Sequence, residues 1–347
     1  MKKLDYIVVG LGIAGISLCE QLLKQNVRFV VVDNDEEGST AKSGGVFNPT
    51  VLKRFTAAWN ASKFYPAAIN FYSEVSKRIH ENVFFETPVL RIFKSIEEQN
   101  NWSVASDKNE LQQFLSSQFL KNTNSAVNAP LGFGEVLGTA RIDAAKLIGG
   151  FRKYLDTNGL LISEDFEYEK LVQDYEGVSY KDISAIKIIF AEGAKVKQNP
   201  FFPQQTLNGN KGEFVRIKAA ELHLDALLKG SLYIIPMGND EYKVGATYDR
   251  DDLTTTTTQA AKDEILSKLK GIINCPFEVI GQTAGIRPTT KDHRPLLGSL
   301  KESPNLVFFN GLGSRGFLMA PLVAETLINA LENEGSIPQE MDIQRML

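Results

Sequence analysis

Residues 6–33 read YIVVGLGIAGISLCEQLLKQNVRFVVVD, and the fold is decided here. Tyr6 to Val9 is an apolar run that stops at Gly10, as a buried parallel strand does. Ile13 to Lys24 has helical spacing, with Ile16, Leu18, Leu22 and Leu23 as candidate buried positions. Arg28 to Val32 is a second strand, so the stretch is one β-α-β unit. Gly10, Gly12 and Gly15 form G-x-G-x-x-G at the strand-to-helix turn. Gly10 permits the tight turn, Gly12 lets a pyrophosphate approach the backbone, and Gly15 lets helix and strand pack closely. The start of the helix, Ile13 and Ala14, then faces the anion. Asp33 closes the second strand 18 residues after Gly15, where a carboxylate accepts hydrogen bonds from ribose hydroxyls; Asn34 follows it. The acid disfavours a 2′-phosphate, so NADP is set aside. NAD and FAD both remain, because the triplet does not separate them.

Outward from this unit the chain is ordinary. It has 347 residues, 43% of them hydrophobic and 23% charged, enough for roughly two domains. Lys plus Arg is 38 against 42 for Asp plus Glu, a net charge of −4. Nucleic-acid affinity needs clustered cations, so this balance argues against such a partner while leaving tRNA open. Two cysteines, Cys19 and Cys275, make neither a disulfide framework nor a zinc site by themselves, and no metal is expected. The apolar start is interrupted by Asp5 and punctuated by glycines, unlike a signal peptide. No stretch has the ~18 apolar residues of a membrane span, so a cytoplasmic protein is expected.

Further along, Thr40 to Pro49 reads as a loop of small residues, and Ala57 to Lys77, Glu110 to Leu120 and Ile142 to Leu155 as helices. Strands are expected at Val89 to Phe93, Ile183 to Ala191, Phe214 to Ile217, Ser231 to Pro236, Tyr242 to Thr247 and Leu306 to Phe309. The five threonines 254–258 read as an exposed turn that caps a helix from Gln259 to Leu269. A last helix is expected from about Met319 to Asn333.

Three blocks identify a family. Ser39-Thr40-Ala41-Lys42-Ser43-Gly44-Gly45-Val46-Phe47-Asn48-Pro49 resembles the segment that follows the ribose acid in the D-amino-acid oxidase superfamily. Ala284-Gly285-Ile286-Arg287-Pro288, with Pro295-Leu296-Leu297-Gly298, resembles its Gly-x-Arg-Pro segment. Asn310-Gly311-Leu312-Gly313-Ser314-Arg315-Gly316-Phe317 resembles its last flavin-binding turn. The blocks stand in family order over nearly the whole chain. The resemblance implies FAD, and within the superfamily it is strongest to glycine oxidase and to the FAD domain of a bifunctional tRNA wobble-uridine-modifying enzyme. The expected fold is α/β (α+β two-domain), a Rossmann-like FAD-binding domain with a discontinuous, mainly antiparallel β substrate domain. The boundaries expected are 1–80, 138–200 and 281–347 for the first and 81–137 and 201–280 for the second. Besides the residues already named, Ala191 and Gly193 are expected to touch the cofactor. Neither His nor Cys stands where covalent relatives attach the flavin, so FAD is expected to be noncovalent.

The resemblance also assigns roles. Arg287 is the expected fork for a substrate carboxylate. Tyr233 is expected to face the substrate, and Tyr248 to line the pocket or face outward. Lys243 stands two residues before Gly245, where sarcosine oxidases carry a Lys beside the flavin that promotes its reaction with oxygen. Alternation puts Lys243, Gly245 and Thr247 on one strand face, but a solvated strand Lys is the plain alternative. Arg315 either binds a second anionic group or anchors its turn. His80, His223 and His293 read as surface or structural residues. The activity implied is oxidation of the C–N bond of a small amino or imino acid, with oxygen or an unknown acceptor taking the electrons. Three alternatives stand beside it: a tRNA-modifying oxidoreductase, a 2-hydroxy-acid dehydrogenase and a non-catalytic flavin protein.

Overall fold

The computed structural model describes residues 4–333 and 335–346. The β-α-β unit forms as expected. Leu4–Val9 lies between Phe29–Val32 and Ile183–Phe190, parallel to both. The strand Ile183–Phe190 then pairs in parallel with Ser303–Asn310, so the end of the chain completes the sheet that its beginning starts. These strands run as unbroken apolar stretches because helices cover the sheet. Ile7, Val8, Val31, Ile188, Ile189 and Phe308 are fully buried. The helix Ile13–Lys24 packs on the helix Gly316–Glu332, which packs in turn on Ala61–Ile79.

A second eight-stranded sheet runs in the order Glu278–Thr289, Asn208–Lys218, Glu241–Gly245, Tyr233–Gly238, Leu227–Lys229, Val89–Ile92, Phe133–Val136, Leu115–Leu120. It is antiparallel except where Leu227–Lys229 meets Val89–Ile92. One face packs on the helix Gln259–Lys270 through Val215, Ile217, Ile265 and Leu269. The fold is therefore mixed α/β, a Rossmann-like sheet joined to a mainly antiparallel one. Among the described residues no helix is long and apolar enough to cross a membrane.

Three sequence expectations are corrected. Glu110 to Leu120 is not a helix: a turn is followed by the edge strand Leu115–Leu120. The Leu111, Phe114, Leu115 spacing mimics a helical stripe, but the open edge of Phe133–Val136 takes up the backbone hydrogen bonds. Thr40 to Pro49 is not all loop, since it holds the short helix Ser39–Lys42 and the strand Val46–Phe47. The final helix starts at Gly316, three residues before Met319, with no side chain capping it. Thr258 does cap its helix, accepting from Ala261 N at 3.2 Å. His80, His223 and His293 are all exposed, and Cys19 is fully buried.

Candidate active site

A single cavity of about 1280 Å³ runs between the two sheets. That exceeds the roughly 300–1,000 Å³ usual for one drug-sized ligand. One end is the glycine turn. Gly10 takes φ +97°, and a Cβ there would lie 2.7 Å from Ala191 O. A Cβ on Gly15 would lie 2.0 Å from Gly10 O, so this glycine is what lets the helix close on the strand. The N-cap residue Gly12 supplies no side-chain cap, and Gly12, Ile13 and Ala14 open onto the cavity. Backbone N–H groups at a helix N-terminus suit a pyrophosphate. Thr40 Oγ1 accepts from Ile13 N at 3.1 Å and ties the following loop to the turn.

Asp33 lies on the same wall. Its Oδ2 accepts from Leu11 N at 2.9 Å, and its Oδ1 accepts from Arg152 Nη1 at 2.7 Å. Oδ1 also accepts from Asp35 N at 3.1 Å, so it is Oδ2 that keeps a lone pair for a ribose hydroxyl. Arg152 was not visible from sequence, because it comes from a helix more than a hundred residues away.

Of the residues singled out from sequence, Gly15, Gly311, Arg315 and Lys243 do not line the cavity; the others do. Gly311 holds a φ +77° turn behind the wall. Arg315 donates to the carbonyls of Asn48 and Thr50 at 3.2–3.3 Å, so in this structure it anchors loop to turn. Lys243 Nζ donates to the carbonyls of Lys42 at 2.9 Å and Ser43 at 2.6 Å, and lies 5.1 Å from the Phe214 ring centroid. Burial and the nearby Lys42 push it down to about 8. Of the trio placed on one face, Gly245 and Thr247 reach the cavity, while the lysine is spent on the loop.

The far end is built on the antiparallel sheet. Arg287 Nη1 donates to Asn210 Oδ1 at 2.8 Å and reaches Thr247 O at 3.5 Å. No carboxylate pairs with it among the described residues, and burial lowers its pKa. Its guanidinium lies over Gly212, where a Cβ would come within 2.0 Å of Nη2. Tyr233 opens its strand, and its hydroxyl accepts from Asn48 Nδ2 at 3.2 Å; burial raises its pKa. Tyr248 is 58% exposed and edges the mouth with Arg250 over its ring. Sequence reading missed Gly212, Asn210, Asn48 and Lys229. Glycine spacing in the second sheet was the only signal, and it needs the strand register to be read. The threonine run is the exposed turn expected, and Thr254, Thr255 and Thr256 also line the cavity. They are held by the fully buried Lys211, whose Nζ reaches Asp252 Oδ2 and Thr256 O, both at 2.5 Å.

The chain resembles known proteins along its whole length. The family model for FAD dependent oxidoreductase matches residues 5–330. The glycine oxidase of Bacillus subtilis is 23% identical over 364 residues, covering 96% of this chain and 95% of that one. The tRNA 5-methylaminomethyl-2-thiouridine biosynthesis bifunctional protein of Maricaulis maris is 25% identical over 338 residues, covering 95% of this chain and 52% of that one. The chain thus spans about half the length of that bifunctional relative. Among solved structures, glycine oxidase from Bacillus cereus superposes with a TM-score of 0.82 at 17% identity, over 97% of this chain and 99% of the other. Iminodiacetate oxidase from Chelativorans sp. gives 0.77 at 19% identity, over 97% and 98%. With a glycine cradle, a helix N-terminus and Asp33 lining one long cavity, and with the family model spanning residues 5–330, this chain belongs to the FAD dependent oxidoreductase family and is an FAD-binding oxidoreductase.

Proposed function

We propose that this enzyme oxidises the C–N bond of a small amino or imino acid, with FAD held noncovalently and oxygen or another acceptor taking the electrons. The observation that carries the reading is Arg287. It is a cavity-lining guanidinium with no carboxylate partner among the described residues, placed over Gly212 and oriented by Asn210. A desolvated fork of this kind suits a carboxylate, which it binds bidentately. FAD, when bound, supplies the hydride acceptor. The protein's own work is then to fix the substrate anion, wall off water and orient the amine. Tyr233 and Tyr248 supply walls, and the loop of threonines 254–256 closes one side. In this reading residues 1–80, 138–200 and 281–347 form the cofactor half, and 81–137 with 201–280 the substrate half. The test is an anaerobic screen of amines, amino acids and 2-hydroxy acids for flavin bleaching. N-substituted glycines or D-amino acids should bleach it. Bleaching by hydroxy acids alone, or by nothing, overturns the reading. Acid precipitation should leave the flavin in the supernatant.

The match to the Maricaulis maris protein supports a second reading, in which the N–CH2–COO⁻ unit is carried by a modified tRNA base. A tRNA complex that weakens steeply with salt would favour it.

A further inference from the structure

The cavity holds a second unpaired cation. Lys229 lines it at the end of the strand Leu227–Lys229 and stands opposite Tyr233 in the register, with its Nζ 4.7 Å from the Tyr233 ring centroid. Its one hydrogen-bond contact is a long one to Ser231 O at 3.5 Å, so an ammonium with three donors is poorly satisfied. No carboxylate forms an ion pair with it among the described residues. Its charged neighbours are Arg91, Lys94 and Lys268. Glu98 is taken by Arg91 at 2.8 Å, and Glu264 by Lys268 at 2.5 Å. Burial and the three cations together push Lys229 down to about 8. Partial burial and like charges both disfavour this ammonium, and an anion brought from outside relieves both.

That anion is not the carboxylate held by Arg287. The strand of Lys229 is four places from the strand of Arg287, roughly 19 Å along the sheet at ~4.8 Å per strand. Nor is it the cofactor pyrophosphate, which is drawn to the helix start at Gly12 on the other sheet. We propose that Lys229 is a specificity residue for a second anionic group on the substrate, so that the substrate is a dicarboxylic N-substituted glycine with its second carboxylate several bonds beyond the nitrogen. This rests on the amino-acid reading above for what Arg287 holds, but its test does not depend on turnover.

The test uses thioethers, which have no C–N bond to oxidise. Binding of 4-(carboxymethylthio)butanoate and of its ω-amide, a neutral isostere, is measured by calorimetry on the holoenzyme, together with analogues of two to six methylenes. The dianion should bind wild type at least tenfold more tightly than the amide at the best spacer length. Lys229→Met and Lys229→Gln should bring the ratio to within about twofold of unity with flavin content retained, and Lys229→Arg should restore it. Equal affinities in wild type at every length, or a preference that survives both neutral variants, overturns the proposal. If the preference holds and is lost in the variants while no amine bleaches the flavin, the anion site stands and the C–N oxidation reading falls. If N-methylglycine bleaches the flavin and both thioethers bind alike, the reverse is true.

Discussion

Arg287 owes its position to a missing side chain. Gly212 sits directly opposite Gly285 in the register and leaves the space that the guanidinium fills. Arg287→Ala should keep FAD bound yet lower kcat/KM for a carboxylate substrate by about 2–5 kcal/mol of transition-state stabilisation. Steady-state kinetics checks this, and unchanged turnover removes Arg287 from the site. Lys243 poses a sharper question. Its two bonds to the carbonyls of Lys42 and Ser43 make it a clamp on the loop that lines the cofactor cavity. Charge-assisted hydrogen bonds are the stronger kind, each worth about 1.5–3 kcal/mol. Lys243→Met should therefore weaken FAD binding by at least about tenfold, measured by equilibrium titration of the apoprotein. Unaltered affinity combined with slower reoxidation by air would instead assign the lysine to the flavin's reaction with oxygen.

At the scale of elements, the helix that carries the cofactor turn is joined to the helix Ala61–Ile79 by an ion pair whose acid is fully buried. Glu20, fully buried on Ile13–Lys24, accepts from Arg78 Nε at 2.6 Å and from Nη2 at 3.1 Å, while Tyr154 OH accepts from Nη1 at 3.2 Å. Removing one member of such a pair leaves a buried charge uncompensated, at a cost of about 3–5 kcal/mol. Arg78→Ala should lose stability on that scale in urea denaturation of the holoprotein. The double change Glu20→Leu with Arg78→Leu should recover much of it, because the desolvation penalty disappears with both charges. A small loss in the single variant would mean that water reaches Glu20. Elements also show where local reading fails. The stripe of Leu111, Phe114 and Leu115 is compatible with a helix, but Leu111 and Phe114 stay in a turn, and from Leu115 on the chain pairs with the edge of Phe133–Val136 as a strand.

For the whole molecule, pH should act through Glu192. This acid follows the strand Ile183–Phe190 and lines the cavity. It accepts from Tyr168 OH at 2.5 Å and Asn199 Nδ2 at 2.9 Å. Burial nonetheless dominates and raises its carboxyl to about 7. A folded pKa above the unfolded one means that the fold favours the protonated acid. Its contribution is full below the unfolded value of ~4.3 and is lost as pH rises to about 7. Glu192→Gln should therefore stabilise the protein at pH 8 by about 1–3 kcal/mol and much less at pH 5. Urea titrations at the two pH values decide this, and an equal effect at both would remove the link to ionisation.

The sequence by itself determined the β-α-β unit and the glycine turn with Asp33, while the choice of FAD and the family came from resemblance. Those signals are short-range: strand, turn and helix follow within one stretch, and the anion site is made of backbone that glycine alone permits. It also marked Arg287 and Tyr233 by resemblance. The tertiary structure decided what each cation faces. Arg152 reaches Asp33, Lys243 and Arg315 are tied to loop carbonyls, and among the described residues Arg287 and Lys229 are left without acids. The reason is physical: a lysine or arginine has the same propensity whether it is solvated, clamped or waiting for an anion. Which of these it is depends on partners brought by strands and loops far apart in the chain, and that register exists only once the sheet is formed.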